Sequence, residues 1–314
     1  MPASAPAAAI RRAPDQGVVG QGALLTVAGA LFWSLSGVLV RLVEAAGSWQ
    51  IVLYRSLAMT ATLLLILGLR YDGRVLGPLR RAGSGAVLAG VALSSASCLY
   101  ILALAHVTVA NALFMSGIAP FVTALVARVW LGEAVPGRTW AAMTVAVAGV
   151  VVMVGGGLAP GRLAGNLLAL GSAVSVALVS VLLRRGRQGD MTPAVFWSGL
   201  VSAALGVAAL LLAGDGAPGA AFAVGPRDLL LCSVMGSVQL GLGSVCYTLG
   251  ARHLPAAALQ LLALLELVFS PLWVWLVVGE VPAPATLFGG ALVMAASALQ
   301  AVGGRSLMKL RQTA

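Results

Sequence analysis

Residues 107–130 read VTVANALFMSGIAPFVTALVARVW, and Arg128 is the only charged side chain among them. A bilayer core about 30 Å thick is crossed by roughly 20 residues of α-helix, so this stretch is long and apolar enough to span a membrane. Similar apolar runs lie on both sides of it. They cover residues 23–43, 49–69, 85–105, 138–155, 163–183, 192–213, 228–249, 254–278 and 284–302. The sequence therefore predicts an all-α integral membrane protein with ten transmembrane helices.

The overall composition excludes most soluble classes of protein. The chain has 314 residues, of which 60% are hydrophobic and only 9% are charged, whereas about 25% of an average soluble domain is charged. So few charges exclude a soluble enzyme, a nucleic-acid-binding protein and a disordered protein. The three cysteines lie in apolar runs without a CxxC spacing, so we expect no disulfide and no metal site. The sequence has no phosphate-binding loop, and we expect no cofactor.

The distribution of basic residues predicts the orientation in the membrane. If the N-terminus is cytoplasmic, fifteen of the 19 basic residues fall in inner segments. Arg41, Arg162 and Arg227 fall in outer segments, and Arg55 lies inside a span. Cytoplasmic loops of membrane proteins carry an excess of basic residues. We therefore expect a multi-pass protein of a bacterial-type inner membrane. Its disordered cytoplasmic N-terminus would cover residues 1–22, and a basic cytoplasmic tail would cover residues 303–314.

The chain also repeats itself, which predicts how the helices are arranged. Matching positions lie either 147 or 143 residues apart, a difference that loop length absorbs. The matches are Tyr100 with Tyr247, His106 with His253, Gly132-Glu133 with Gly279-Glu280, and Arg41 with Arg184. Each copy, at 23–155 and 163–302, holds five helices, and an odd number forces the second copy to enter the membrane from the opposite side. We therefore expect two inverted five-helix repeats, the usual construction of secondary transporters.

Two stretches carry a resemblance to a known family. Residues 103–120 read ALAHVTVANALFMSGIAP and residues 264–274 read LLELVFSPLWV, and a Gly-Glu pair closes the fourth span of each half. These stretches resemble the two EamA-type repeats of the drug/metabolite transporter superfamily, and the resemblance covers roughly residues 22–302. It implies an inner-membrane carrier, commonly an exporter of amino acids, other metabolites or drugs.

Two charged side chains lie inside the predicted spans. Glu266 lies near the middle of the ninth span, and Arg55 lies nearer the outer end of the second. A charge at mid-membrane costs about 2.5–3.5 kcal/mol on insertion scales, so it normally faces protein or a water-filled cavity. Glu266 is a candidate to meet a substrate ammonium group or a proton, or to hold backbone groups at a helix bend. Arg55 is a candidate to bind a substrate carboxylate, or to extend towards the outer headgroups.

Polar and aromatic side chains extend this candidate site for substrate or protons. Asn111 and Gln260 are amides at nearly matching positions of the two repeats, where they would contact substrate or join neighbouring helices by hydrogen bonds. The aromatic candidates are Trp33, Tyr100, Tyr247 and Trp273, in spans one, three, eight and nine. In the family that the sequence resembles, these spans help to line a central cavity.

Two further features concern helix ends and bends. Glu133 and Glu280 precede spans five and ten, where a carboxylate favours the positive end of a helix. Pro120 predicts a kink in the first half, whereas its equivalent, Leu267, predicts none. Pro271 lies four residues beyond Leu267 and would move the bend of the ninth span by about one turn.

These observations favour a secondary transporter that exposes a midplane site to each face of the membrane in turn. We expect export of a small organic solute, such as an amino acid, a related amphipathic metabolite or a drug, with proton coupling left open. An intramembrane enzyme acting on a lipid or isoprenoid is the alternative, but the sequence shows no cluster of acids or histidines and no catalytic residue is assigned. A scaffold or sensor is a third reading. The expected partners are the bilayer and a small molecule, in a monomer or a homodimer without nucleic acid.

Overall fold

The computed structural model describes residues 16–131, 137–155, 162–185, 192–212, 220–251, 262–263 and 265–296. All regular structure in these ranges is helical, and they contain no β-strand. The first half contains α1 (Gln16–Ser34), α2 (Ser36–Arg41), α3 (Ser48–Arg70), α4 (Leu76–Arg81), α5 (Gly83–Leu104), α6 (Val109–Ser116), α7 (Ala119–Leu131) and α8 (Gly137–Gly155). The second half contains α9 (Arg162–Arg185), α10 (Thr192–Leu212), α11 (Pro226–Val234), a π-helix (Met235–Leu242), α12 (Gly243–Ala251), α13 (Leu265–Val278) and α14 (Pro284–Ala296).

Many of these helices are long and apolar enough to cross a bilayer. Seven continuous or nearly continuous helical segments of the described chain meet that criterion by length and composition. They are Gly20–Arg41, Ser48–Arg70, Gly83–Leu104, Val109–Trp130, Arg162–Leu182, Pro193–Leu212 and Pro226–Gly250. Shorter apolar helices, Trp140–Met153, Leu265–Val278 and Pro284–Ala296, lie where the sequence predicts spans five, nine and ten. The prediction of an all-α, multi-pass membrane protein is confirmed.

The two prolines act differently on their helices. The predicted fourth span is interrupted at Gly117-Ile118, so that Pro120 becomes the second residue of α7, where a missing N–H costs no helical hydrogen bond. Pro271, by contrast, lies inside α13 without interrupting it. The break that the sequence predicts in the first half is therefore present, and the described part of the ninth span is one helix.

Small residues let the helices approach closely. A Cβ added to Gly90 of α5 would lie 2.8 Å from the carbonyl oxygen of Ala194 in α10. Gly149 of α8 faces Gly289 of α14 with the two backbones in contact. Small residues at helix interfaces are typical of membrane proteins, because dispersion contacts improve as backbones approach. The helix faces that carry Gly149 and Gly289 are therefore packed against each other within the chain.

At one end of the helices, a buried carboxylate fixes a loop. Asp228, only 3% exposed, accepts the backbone N–H groups of Glu44, Ala45 and Ala46 at 3.0, 2.9 and 2.8 Å. A carboxylate that accepts several N–H groups forms charge-assisted hydrogen bonds. These bonds fasten the loop after α2 to the first turn of α11, and we call this side of the molecule the Arg41 end.

The π-helix depends on a glycine, which gives a first prediction. A Cβ on Gly236 would overlap the carbonyl oxygen of Arg55 in α3. We expect Gly236→Ala to cost about 1–3 kcal/mol, the usual range for overpacking. Gly68→Ala is the matched control, because a Cβ there meets nothing within 4 Å, and alanine is favoured in helices by roughly 1 kcal/mol. Thermal unfolding of the purified variants should show a lower midpoint for Gly236→Ala alone, and equal midpoints would contradict this packing.

Candidate functional site

Glu266 lies in the first turn of α13. The side chain is partly buried, and among the residues that the structure describes none forms a hydrogen bond or ion pair with it. The hydroxyls of Tyr100 and Tyr247 lie within electrostatic range of it. An unpaired carboxylate inside a membrane protein is costly and needs a cation, a proton or water. Within the described chain, no group supplies that positive charge to Glu266.

Aromatic side chains from several helices converge near this acid. The rings of Trp33 in α1 and Tyr247 in α12 lie 4.7 Å apart and are tilted by 37°. Trp33 packs over Gly243, and its buried indole N–H has no partner within the described chain. The buried hydroxyl of Tyr100 is also without a hydrogen bond there, although Ser36 lies beside it. Within the described chain, the indole N–H of Trp33 and the hydroxyl of Tyr100 are therefore hydrogen-bond donors without an acceptor, close to aromatic rings.

Trp273 belongs to the same face of α13, seven residues beyond Glu266. Its indole N–H donates to Ser34 Oγ at 3.1 Å, which joins α13 to the end of α1. Its ring stacks with Phe269 at 6.0 Å between centroids. Glu266, Trp33, Tyr100, Tyr247 and Trp273 together form what we call the central cluster. A carboxylate among electron-rich rings suits an organic cation, because each ring face attracts positive charge.

Arg55 lies inside the protein. It is only 2% exposed on α3 and donates from Nη2 to both Oγ and the carbonyl oxygen of Ser97. Within the described chain its Nε has no hydrogen-bond partner, and no carboxylate there pairs with the guanidinium, Glu266 included. Tyr100 lies within electrostatic range of both Arg55 and Glu266. Among the described residues, the guanidinium is therefore a buried cation without a counter-ion.

The π-helix packs against the segment of α3 that carries Arg55. Such helices are rare and often mark functional sites, because the wider turn frees backbone and redirects side chains. Within this one, Gln239 is 3% exposed and its Oε1 accepts no hydrogen bond from the described chain. The sequence gives no periodic signal for a π-helix, so neither Gln239 nor Ser97 was identified from it.

Asn111 lies away from the central cluster. Its amide donates to Asn166 Oδ1 at 2.6 Å, and its Oδ1 accepts from Thr286 at 3.5 Å. This network joins α6, α9 and α14 at the Arg41 end and lines a cavity of about 260 Å³. The structure therefore does not bring Asn111 together with Glu266. Gln260, like Glu133, lies outside the described residues.

Glu280 joins three helix ends at the same side. Its carboxylate pairs with Arg41 at 2.7 Å and accepts the N–H of Val109, the first residue of α6. Arg41 also donates to the carbonyl oxygens of Leu104 and Val107. Glu280 thus caps α6, whereas the sequence predicted stabilisation of its own following helix. In the folded chain Glu280 lies beside the N–H of Val109 at the start of α6, whereas the helix that follows Glu280 in the sequence, α14, begins only at Pro284.

Comparison with known proteins supplies the family. The model of the EamA-like transporter family matches residues 20–155 and again 163–301. Two curated relatives, both named pseudopaline exporter and from two strains of Pseudomonas aeruginosa, are 29% identical over 276 residues, which is 88% of this chain and 94% of theirs. A solved crystal structure with 21% identity and a TM-score of 0.66 covers 90% of this chain and 98% of its own. At that identity the likeness shows the fold.

Proposed function

The chain belongs to the EamA-like transporter family, and we propose that it exports a small amphipathic organic solute through a site at the central cluster. It is a membrane transporter and not an enzyme. Export is supported by the relatives, which are named as exporters. Pseudopaline, the solute in their name, is therefore one of the first compounds to test, beside amino acids and drugs.

One observation carries this proposal: no described residue pairs with the Glu266 carboxylate, which lies near aromatic rings. An ammonium group of the solute would supply the missing charge, and apolar parts would pack on Trp33, Tyr247 and Trp273. A proton would neutralise the same carboxylate in the empty carrier. Exchange of a proton for the cationic solute at one carboxylate would couple export to a proton gradient.

Equivalent helix contacts support a ten-helix fold of two inverted repeats. A Cβ on Gly29 would lie 3.0 Å from the carbonyl oxygen of Gly243, and Ser172 Oγ donates to the carbonyl oxygen of Ala96 at 2.9 Å. Ser172 follows Gly29 by 143 residues, and Gly243 follows Ala96 by 147. Spans one and eight thus pack as spans six and three do, as expected if residues 23–155 and 163–302 are copies. This symmetry supports alternating access at a midplane site.

The positions of the outer arginines support an orientation with both termini in the cytoplasm. Arg41 and Arg162 line one cavity. Arg227 pairs with Glu44, three residues beyond Arg41. The three arginines that the sequence predicts outside therefore share the Arg41 end. We propose that this end faces outward from a bacterial-type inner membrane.

The buried Arg55 gives a prediction about solute class. If the solute carries both an ammonium and a carboxylate, Arg55 would bind the carboxylate while Glu266 binds the ammonium. We expect Arg55→Gln to weaken transport of an amino acid by about tenfold or more, because a hydrogen bond to a charged group contributes about 1.5–3 kcal/mol. Transport of the corresponding amine, which lacks the carboxylate, should change little. An equal loss for both compounds would assign Arg55 to folding alone.

The proposed function is tested with the purified full chain in liposomes. Counterflow of radiolabelled amino acids, their amines, pseudopaline and cationic drugs is measured with and without a pH gradient. Uptake of one compound into protein-containing vesicles, above protein-free vesicles, would support the proposal. Failure of every compound, in a preparation that still unfolds cooperatively, would contradict it. The mass of the detergent-solubilised protein distinguishes a homodimer from a monomer.

A further inference from the structure

A polar cavity lies at the Arg41 end, away from Glu266. Its volume is about 260 Å³, and its polar lining includes Arg41, His106, Asn111, Arg162, Asn166 and Thr286. Glu266 lies near the start of α13, whereas this cavity adjoins the segment after its end. Thirteen residues of helix at 1.5 Å each place the two levels roughly 20 Å apart. We call this cavity the Arg162 pocket.

The charge of the Arg162 pocket is positive and only partly compensated. Arg41 is paired with Glu280, and Arg227, elsewhere at this end, is paired with Glu44. Arg162 is exposed and has no acidic partner among the described residues. None of the described side chains that line the pocket is acidic, and His106 is exposed beside it. At the end that we propose faces outward, Arg162 thus has no counter-charge from the described part of the chain.

The floor of the pocket is built from buried polar groups and helix starts. Asn111, Asn166 and Thr286 are 7%, 2% and 6% exposed and are joined by hydrogen bonds. The bonds use the Oδ1 of Asn166 and leave its amide N–H groups as donors. The helices α6, α9 and α14 all begin at this cavity, and the N-terminus of a helix favours negative charge.

We propose that the Arg162 pocket binds an anionic group, a carboxylate or phosphate, by an ion pair with Arg162 and hydrogen bonds from the asparagine amides. A cavity of about 260 Å³ is large enough for a small carboxylate with several waters. The bound anion would also approach Arg41 and compete with Glu280 for it. This site is independent of the solute bound at the central cluster.

The test measures anion binding without using transport. The purified full chain is placed in nanodiscs of neutral lipid, and its thermal unfolding midpoint is followed with increasing succinate against sodium chloride of equal ionic strength. A ligand that binds only the folded protein raises the midpoint by mass action. We expect succinate to raise it, and Arg162→Gln to weaken the apparent affinity for succinate at least tenfold. Arg162→Lys should give an intermediate affinity.

Two variants act as matched controls. Arg227→Gln removes an exposed arginine of the same end that does not line the pocket, and it should keep the affinity for succinate within twofold. Glu266→Gln should also keep it, which separates this site from the central cluster. If the proposed transport is not observed, the binding of succinate to the Arg162 pocket is therefore unaffected. A failure of succinate binding would likewise leave the proposed transport unaffected.

A second arm identifies the source of the anion. Nanodiscs containing phosphatidylglycerol are compared with neutral ones in the absence of succinate. If only the anionic lipid raises the midpoint, and Arg162→Gln removes that rise, the occupant is a lipid headgroup and the anionic site is supported. Two results would overturn the proposal: no rise with either anion beyond the salt control, or the same rise in wild-type and Arg162→Gln protein.

Discussion

Replacing Glu266 with glutamine is expected to reduce solute transport to near background while the protein still folds in the membrane. Glutamine keeps the size of the side chain but neither carries a negative charge nor exchanges a proton at neutral pH. The described residues provide no other carboxylate to the central cluster. A charge-assisted contact contributes about 1.5–3 kcal/mol, so its loss alone lowers transport about ten- to hundredfold. Loss of proton exchange would remove the gradient-driven part altogether.

The measurement is counterflow and pH-driven transport in liposomes containing equal amounts of variant and wild-type protein. Glu44→Gln is the matched control, because Glu44 is an exposed acid paired with Arg227 at the Arg41 end, and exposed ion pairs contribute about 0–1 kcal/mol. It should transport as the wild type does. Glu266→Asp retains the charge on a shorter side chain and should recover part of the activity. Undiminished transport by Glu266→Gln would remove the basis of the proposed site.

Breaking the pair between Arg41 and Glu280 is expected to have the largest effect on stability at the Arg41 end. The two side chains are 26% and 18% exposed, and together they bind Leu104, Val107 and Val109. Removing one partner of a fully buried pair costs about 3–5 kcal/mol, because the other charge stays buried. With partial exposure we expect about 2 kcal/mol for Glu280→Gln, which lowers the unfolding midpoint by about 5 °C.

A double-mutant cycle separates the pair from its backbone contacts. Arg41→Gln leaves Glu280 to cap α6, and Glu280→Gln leaves Arg41 on the carbonyl oxygens that end α5. We expect the loss of stability in the double variant to be smaller than the sum of the losses in the two single variants, because each single variant already breaks the same ion pair. Strictly additive losses would show that the two side chains act separately and that the pair does not hold these helix ends together.

Some of the candidate site was predictable because it depends on charge and helical register. A carboxylate is so costly in a bilayer that Glu266 stands out in the sequence without any knowledge of its neighbours. Trp273 follows it by seven residues, which two turns of any helix bring to the same face. The aromatic partners from other helices were suggested by the family resemblance. Their arrangement, with Trp33 against Tyr247, comes from the structure.

Other placements were left open or missed because they depend on a neighbour from a distant part of the chain. The near-equivalence of Asn111 and Gln260 allowed either contact with substrate or hydrogen bonds between helices, and the structure shows Asn111 bonded to Asn166 and Thr286. Depth alone allowed Arg55 to reach the headgroups, whereas the structure turns it inward to Ser97. Hydropathy records how apolar a helix is, but it does not record which helix lies beside which face.

The sequence by itself determined the class of the protein: too few charges for a soluble surface, apolar runs of membrane length and a family pattern repeated along the chain. The low charge content and the length of the apolar runs are local properties, and they follow from the cost of placing polar groups in hydrocarbon. Only the tertiary structure decided which polar atoms find partners. Among the residues that the structure describes, it satisfies Asp228 and Glu280 with backbone N–H groups and provides no hydrogen-bond partner for the Glu266 carboxylate or the Arg55 Nε. That difference depends on helix contacts over long sequence distances, because a hydrogen bond requires two groups within about 3 Å of each other.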